Sequence, residues 1–244
     1  MATLDLSTSA PFAHNGHLYV EKPTPIDFPS EEPWEEKVPE TKRHLEARTC
    51  LYLVLKHLLS DKGVGCDQFL YWDPQDPRKC LSPDAFVKLG SLEFNFASWK
   101  VWEKGAPELA VEMVSSSDRA PTDWKDKVAR YAASGVAELV RFDTDDEVQP
   151  IRVWDRIGGG LVERDKRDPN LRRCKTLELW WVVKSSQYGT ELRLANDRDG
   201  VDVLPTPFEA AASRAEAADI RAESADRRLQ EALAEIERLR AERT

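Results

Sequence analysis

Between residues 41 and 195 the apolar residues change period twice, and that alternation restricts the available folds more than any other feature of the chain. From Thr41 to Ser60, Leu45, Tyr52, Leu55, Leu58 and Leu59 fall near helical spacing, with Gly63 just beyond, which predicts a helix. Short strand-like runs follow: Val64 to Trp72, Asp84 to Leu89 and Glu108 to Val114, with the turn-forming DPQDPRKC between the first two. A second helix is predicted from about Thr122 to Ser134, ended by Gly135. Further strand candidates run over Glu138 to Phe142, Ile151 to Ile157, Leu177 to Val183 and Glu191 to Ala195. The order helix, three strands, helix, strands predicts an α/β or α+β domain built on a central mixed sheet.

The ends of the chain differ from this middle. Residues 1–40 hold Pro11, Pro23, Pro25, Pro29, Pro33 and Pro39 among acidic residues, a composition that resists helix and ladder alike, and they are read as an extended arm in which Trp34 is an apolar anchor. Residues 41–207 form the domain. Residues 208–244 carry Ala215, Ala218, Ala222, Ala225, Leu229, Ala232, Ile236 and Leu239 at alternating spacings of three and four, with no Gly or Pro after Pro207. This heptad helix offers a homodimer contact or a surface that docks back on its own domain; alanine at most seam positions buries little area in either case.

Composition sets outer bounds. With 244 residues, 41% hydrophobic side chains, 8 Trp and 8 Phe, a folded core is required and a wholly disordered chain is excluded. No apolar run reaches the ~20 residues that span a bilayer, and the N-terminus lacks a basic start followed by an apolar block, so a cytoplasmic protein without a membrane partner is expected. Cys50, Cys66, Cys80 and Cys174 are too scattered for a disulfide framework or a C-x-x-C zinc site. The net charge of -9 is concentrated at the ends: residues 1–40 carry 2 basic against 8 acidic side chains, and residues 208–244 carry 7 against 9, which leaves the middle about -1. A nearly neutral domain can carry a basic cleft, so acidity does not exclude a phosphate-bearing substrate.

The chemistry concentrates on a few residues. Alternation along Glu108 to Val114 turns Leu109, Val111 and Met113 one way and Glu108, Ala110, Glu112 and Val114 the other, so two glutamates share a face. Two like charges ~4 Å apart repel by roughly 4 kcal/mol at an effective dielectric of about 20, so carboxylates gathered there need a cation, a proton or separation. Asp84 supplies another acid at the start of a neighbouring strand. Oxygen-only sites of this kind select Mg²⁺, with Mn²⁺ as a substitute, and leave room for a phosphate. A lysine would complete the set: Lys127 borders the buried arc Trp124, Val128 and Tyr131 of the second helix, and Lys88 on the strand of Asp84 is its rival.

The stretches SPDAFVKLG, PELAVEMVSSSD, WKDKVARYAASGVAEL and FDTDD, in that order, resemble the Uma-type restriction-endonuclease family, whose domain has the PD-(D/E)xK nuclease fold. The resemblance covers roughly residues 40 to 185 and implies a restriction-endonuclease-like core, a central mixed β-sheet flanked by helices. It also implies metal ligation by Asp84 and Glu112, a catalytic lysine at Lys127 moved from the strand to the following helix, and an accessory acid at Glu46. The implied reaction is Mg²⁺-dependent hydrolysis of phosphodiester bonds in DNA. Three positions depart from the family pattern: Val114 stands where the usual lysine would be, Glu108 replaces an Asp, and Leu139-Val140 replace an aromatic pair.

Other chemistries fit less well. Ser115, Ser116 and Ser117 lack a G-x-S-x-G elbow and are read as shaping a turn, and Gly158, Gly159 and Gly160 as a hairpin turn rather than a phosphate loop. The alternative to a DNA endonuclease is a catalytically inactive binding or scaffold protein of the same fold that acts through its cleft or its coiled-coil tail.

Overall fold

The computed structural model describes residues 25–30, 41–92, 94–114, 121–186 and 189–243. Most of the proline-rich arm with Trp34, and the three serines at 115–117, lie outside the described residues.

The fold is mixed α/β. Its centre is a six-stranded sheet in the order β1 (Lys62–Gly65), β4 (Ala85–Leu92), β6 (Leu109–Met113), β7 (Glu138–Phe142), β8 (Ile151–Ile157) and β9 (Gly160–Glu163). Every neighbouring pair is antiparallel except β6 and β7. A parallel pair needs a crossover, and α3 (Pro121–Ser134) supplies it. Gly135 ends α3 at φ 90°, where a Cβ would also meet Ala106 at 2.9 Å, so only glycine closes this helix without strain.

The alternation read from β6 sorts its two faces. Leu109, Val111 and Met113 join the larger core with Ala85, Val87, Val140, Phe142 and Val153, roofed by α1 (Lys42–Leu58) through Ala47, Leu51, Val54 and Leu55. A second sheet of β10 (Arg173–Cys174), β11 (Leu179–Ser186) and β12 (Gly189–Ala195) closes the same core with Trp181, Leu192 and Leu194. On the opposite face Ala110, Leu139 and Trp154 meet Trp124 and Tyr131 of α3. β6 is buried along all five residues, as expected for a central strand.

Two expectations need correction. The run Val64 to Trp72 is two strands in different sheets: β1, and β2 (Leu70–Tyr71), which pairs with β3 (Cys80–Leu81) and β5 (Trp99–Lys100). The break comes at Asp67, which adopts φ 69° while the Gln68 side chain accepts from the Cys66 N–H at 2.7 Å. Beyond the break an aromatic cluster of Phe86, Trp99, Phe94 and Phe96 fixes the small sheet, and Gly65 lets the Phe86 ring lie where a Cβ would sit 2.1 Å from it. The run from Leu177 becomes a strand only at Leu179, because Glu178 takes φ 58°.

The tail is α4 (Pro207–Ala241), continuous over 35 residues. Its start is fixed by a capping box of Thr206 and Glu209, and Glu209 also takes Arg193 of β12 at 2.5 and 3.2 Å. No residue of α4 is buried, and its contacts with the domain include α1 and the Arg193–Glu209 pair near its start. None of the described helices is long and apolar enough to cross a membrane.

Candidate active site at the ends of β4 and β6

The register Ala85↔Val111 between antiparallel β4 and β6 puts Asp84, the residue before β4, across from Glu112 near the end of β6. Both acids are buried, at 6% and 3% exposure, which excludes simple solvated carboxylates. Each is held by specific donors. The Met113 N–H donates to Asp84 Oδ2 at 2.7 Å. His44 Nε2, in the first turn of α1, lies 3.2 Å from Asp84 Oδ1 and 3.2 Å from the Met113 carbonyl oxygen. A nitrogen between two acceptors carries the hydrogen, so His44 presents Nε2–H to both. The N-cap of α1 contributes, because Thr41 Oγ1 accepts from the His44 N–H at 3.3 Å and fixes the turn that carries the imidazole.

Glu112 points to α3. Lys127 Nζ donates to its Oε2 at 2.8 Å and the Tyr131 hydroxyl donates to its Oε1. Lys127 and Tyr131 are four residues apart and so share one helical face. Burial pushes the Glu112 carboxyl up to about 7, the neighbouring Asp84 charge adds to the rise, and the Lys127 ammonium and the Tyr131 hydroxyl oppose it. Burial and the adjacent Glu112 also drive the Tyr131 phenol well above its ordinary value, so it remains a donor.

The structure thus brings Asp84, Glu112 and Lys127 together. It does not bring Glu46 to them: that residue pairs with Lys42 at 3.6 Å, and it lies two positions from His44, on a different side of α1. Lys88 serves a different acid. Its Nζ is 2.6 Å from Glu108 Oε1, and Glu108 Oε2 accepts from the Leu89 N–H at 2.8 Å. Glu108 shares the face of Glu112, but four strand residues separate them by about 13 Å. Val114 is buried at the end of the strand, with its N–H on the Phe142 carbonyl at 2.7 Å, and supplies no charge.

Two residues of the site, His44 and Tyr131, carry no signal in strand alternation. Helical spacing holds a trace of both: Tyr131 is four residues from Lys127, and His44 is four from Arg48, which pairs with Asp67 at 3.0 Å beside the same strand ends. Arg141 of β7 is paired in register with Glu112; its guanidinium is bound to Asp143 at 2.8 Å and lies over Trp124.

The donor set suits a hard cation in one respect. Two carboxylates face each other across adjacent strands, one of them held high by burial and further by its neighbour's charge, and a cation would relieve that repulsion. Among the described residues no third His, Cys, Asp or Glu completes a cluster.

The model of the Uma2 family, described as putative restriction endonuclease, matches residues 15–184. The chain belongs to the Uma2 family. The Uma2 match begins within the segment read as an arm and ends in β11, so β12 and α4 lie beyond it. Among solved structures, a putative nuclease belonging to DUF820 from Anabaena variabilis ATCC 29413 is similar at 14% identity, over 49% of this chain and 70% of that one, with a TM-score of 0.34. No curated protein matches the chain.

Proposed function

We propose that the chain is a Mg²⁺-dependent endonuclease that hydrolyses phosphodiester bonds in DNA. The observation that carries this reading is the meeting of Asp84 and Glu112 on adjacent strands with Lys127 on Glu112 at 2.8 Å, in a chain of the Uma2 family. Asp84 and Glu112 would hold the ion, which when bound supplies Lewis-acid polarisation of the phosphate and a lower pKa for water.

The protein's own groups have separable tasks. His44 and the Met113 N–H orient Asp84, leaving each oxygen a lone pair for a further partner. Tyr131 fixes the rotamer of Glu112. Lys127, bonded to Glu112, is the ammonium at the two acids among the described residues, and it would stabilise negative charge developing on a phosphate bound there. It replaces from α3 the lysine that Val114 cannot supply from β6.

Purified full-length protein with linear and supercoiled DNA and Mg²⁺ or Mn²⁺ tests this. Cleavage is expected, with a loss of about 10²-fold or more in Asp84→Ala, Glu112→Ala and Lys127→Met. Cleavage that all three variants retain would overturn the reading. One observation favours a second reading, a binding protein without turnover: both oxygens of Glu112 already accept from α3. DNA binding with no metal-dependent cleavage by the wild-type chain would decide for it.

A further inference from the structure

The charged residues that flank the seam of α4 carry a pairing code. Leu229, Leu233, Ile236 and Leu239 are 45 to 54% exposed on a helix that has no buried residue, so the most apolar third of the tail is left uncovered by the described residues. With Leu229 and Ile236 at heptad position a and Ala232 and Leu239 at d, position g holds Arg214, Arg221, Arg228 and Glu235. Position e, five residues after each, holds Asp219, Asp226, Leu233 and Arg240. In a parallel two-stranded coil each g residue faces the following e residue of the other chain. Arg214 then meets Asp219 of the second copy, Arg221 meets Asp226, and Glu235 meets Arg240, while Arg228 faces Leu233.

We infer that α4 is a parallel homodimerisation helix and that its occupant is a second copy of this chain. All three charged g–e contacts are attractive and none is repulsive. The antiparallel alternative, which stacks a against d, brings Arg228 against its own copy and Asp226 against its own copy, two like-charge contacts at the middle of the coil. Glu235 is held within its own helix by Arg238 at 2.8 Å, but that pair is more than half exposed on both sides and readily exchanged. Alanine layers at 215, 218, 222 and 225 contribute little area, so the leucine and isoleucine layers supply the affinity and the charges set the orientation.

The geometry has a consequence for the domain. Because Glu209 is tied to Arg193 at the start of α4, a parallel coil holds both domains at one end. An antiparallel coil would put them on the order of 50 Å apart, about the length of the helix. The inference does not depend on the proposed activity: α4 lies outside the family match, and the test reads mass and cross-linking.

Sedimentation equilibrium of the full chain from micromolar to near-millimolar concentration is expected to show a species of twice 27.7 kDa. Arg214→Glu with Arg221→Glu, and separately Asp219→Arg with Asp226→Arg, should each raise the dissociation constant by about tenfold or more, with helicity by circular dichroism unchanged. An equimolar mixture of the two variants should dimerise again. Oxidation of Leu239→Cys should give a cross-linked dimer absent from the wild-type chain. A monomer at every concentration, or a mixture that stays monomeric, would overturn the inference. So would cross-linking that requires Ala215→Cys chains mixed with Leu239→Cys chains.

Discussion

Glu112 and Glu138 are the same residue type, on adjacent parallel strands, and both are nearly inaccessible to solvent. Their surroundings are opposite. Glu138, at the start of β7, accepts from Arg164 Nη2 at 2.8 Å, from the Lys175 N–H at 3.1 Å and from the Thr176 N–H at 2.9 Å. Its partner Arg164 is also shared with Asp155 at 2.6 Å. This network ties the central sheet to the turn between β10 and β11 of the second sheet. Glu112, at the other end, has one ammonium and one phenol, and faces a second carboxylate. A buried acid surrounded by donors is a structural staple; a buried acid left opposite another acid retains unspent affinity for a cation or a proton.

The largest expected effect follows from the staple. Glu138→Ala leaves Arg164, 3% exposed at its side chain, with Asp155 as its remaining carboxylate partner beside the Leu171 and Arg173 carbonyls, and strands two backbone N–H groups. A loss of about 3–5 kcal/mol in urea-induced unfolding is expected. A loss below about 1 kcal/mol would show that the two acids are not different in kind.

The second prediction concerns Glu112 and has a definite sign. Its folded-state pKa of about 7 lies above the ordinary 4.5, so between those values the folded protein keeps a proton that the unfolded chain releases. The metal-free wild-type protein should therefore lose stability, relative to Glu112→Gln, as pH rises from 4.5 through 7, and then level off. Urea titrations of both proteins across that range provide the measurement, and parallel curves would refute the raised pKa of Glu112. Excess Mg²⁺ should reduce the difference if Asp84 and Glu112 hold it.

The same contrast explains what the sequence revealed. Asp84 and Glu112 were legible because strand alternation and strand order are local, and two acids that begin and end neighbouring strands can meet. Lys127 was legible from its place at the edge of the buried arc of α3. His44 was not, because its contact with Asp84 depends on how α1 lies over the sheet, which no local period encodes. Tyr131 was read as packing, since a helical wheel shows that a phenol is buried but not where its hydroxyl points. Strand breaks at Asp67 and Glu178 were hidden for a related reason: both take positive φ without being glycine or asparagine, the usual signals. Two-residue strands such as β2, β3 and β5 are too short to show any period, and the aromatic cluster over them is long-range.

A third carboxylate extends the comparison to the surface and should show the smallest effect. Glu209 is drawn down to about 2, chiefly by its hydrogen bond to Arg193, with the Thr206 N–H of the capping box helping. Its side chain is 48% exposed, so solvent screening limits the contribution to under about 1 kcal/mol. The sign is the reverse of that for Glu112. A folded pKa below the ordinary 4.5 gives stability that is fully present above 4.5 and is lost as pH falls towards 2. Glu209→Gln should therefore weaken the wild-type protein slightly at neutral pH and be indistinguishable from it in strong acid. Amide exchange in the first turn of α4 should rise in the same variant, because the glutamine keeps a cap for the Thr206 N–H but gives up the charge that holds Arg193. Unchanged exchange there would mean that α4 leaves the domain held by its backbone cap alone, with Arg193 contributing nothing to where the tail begins.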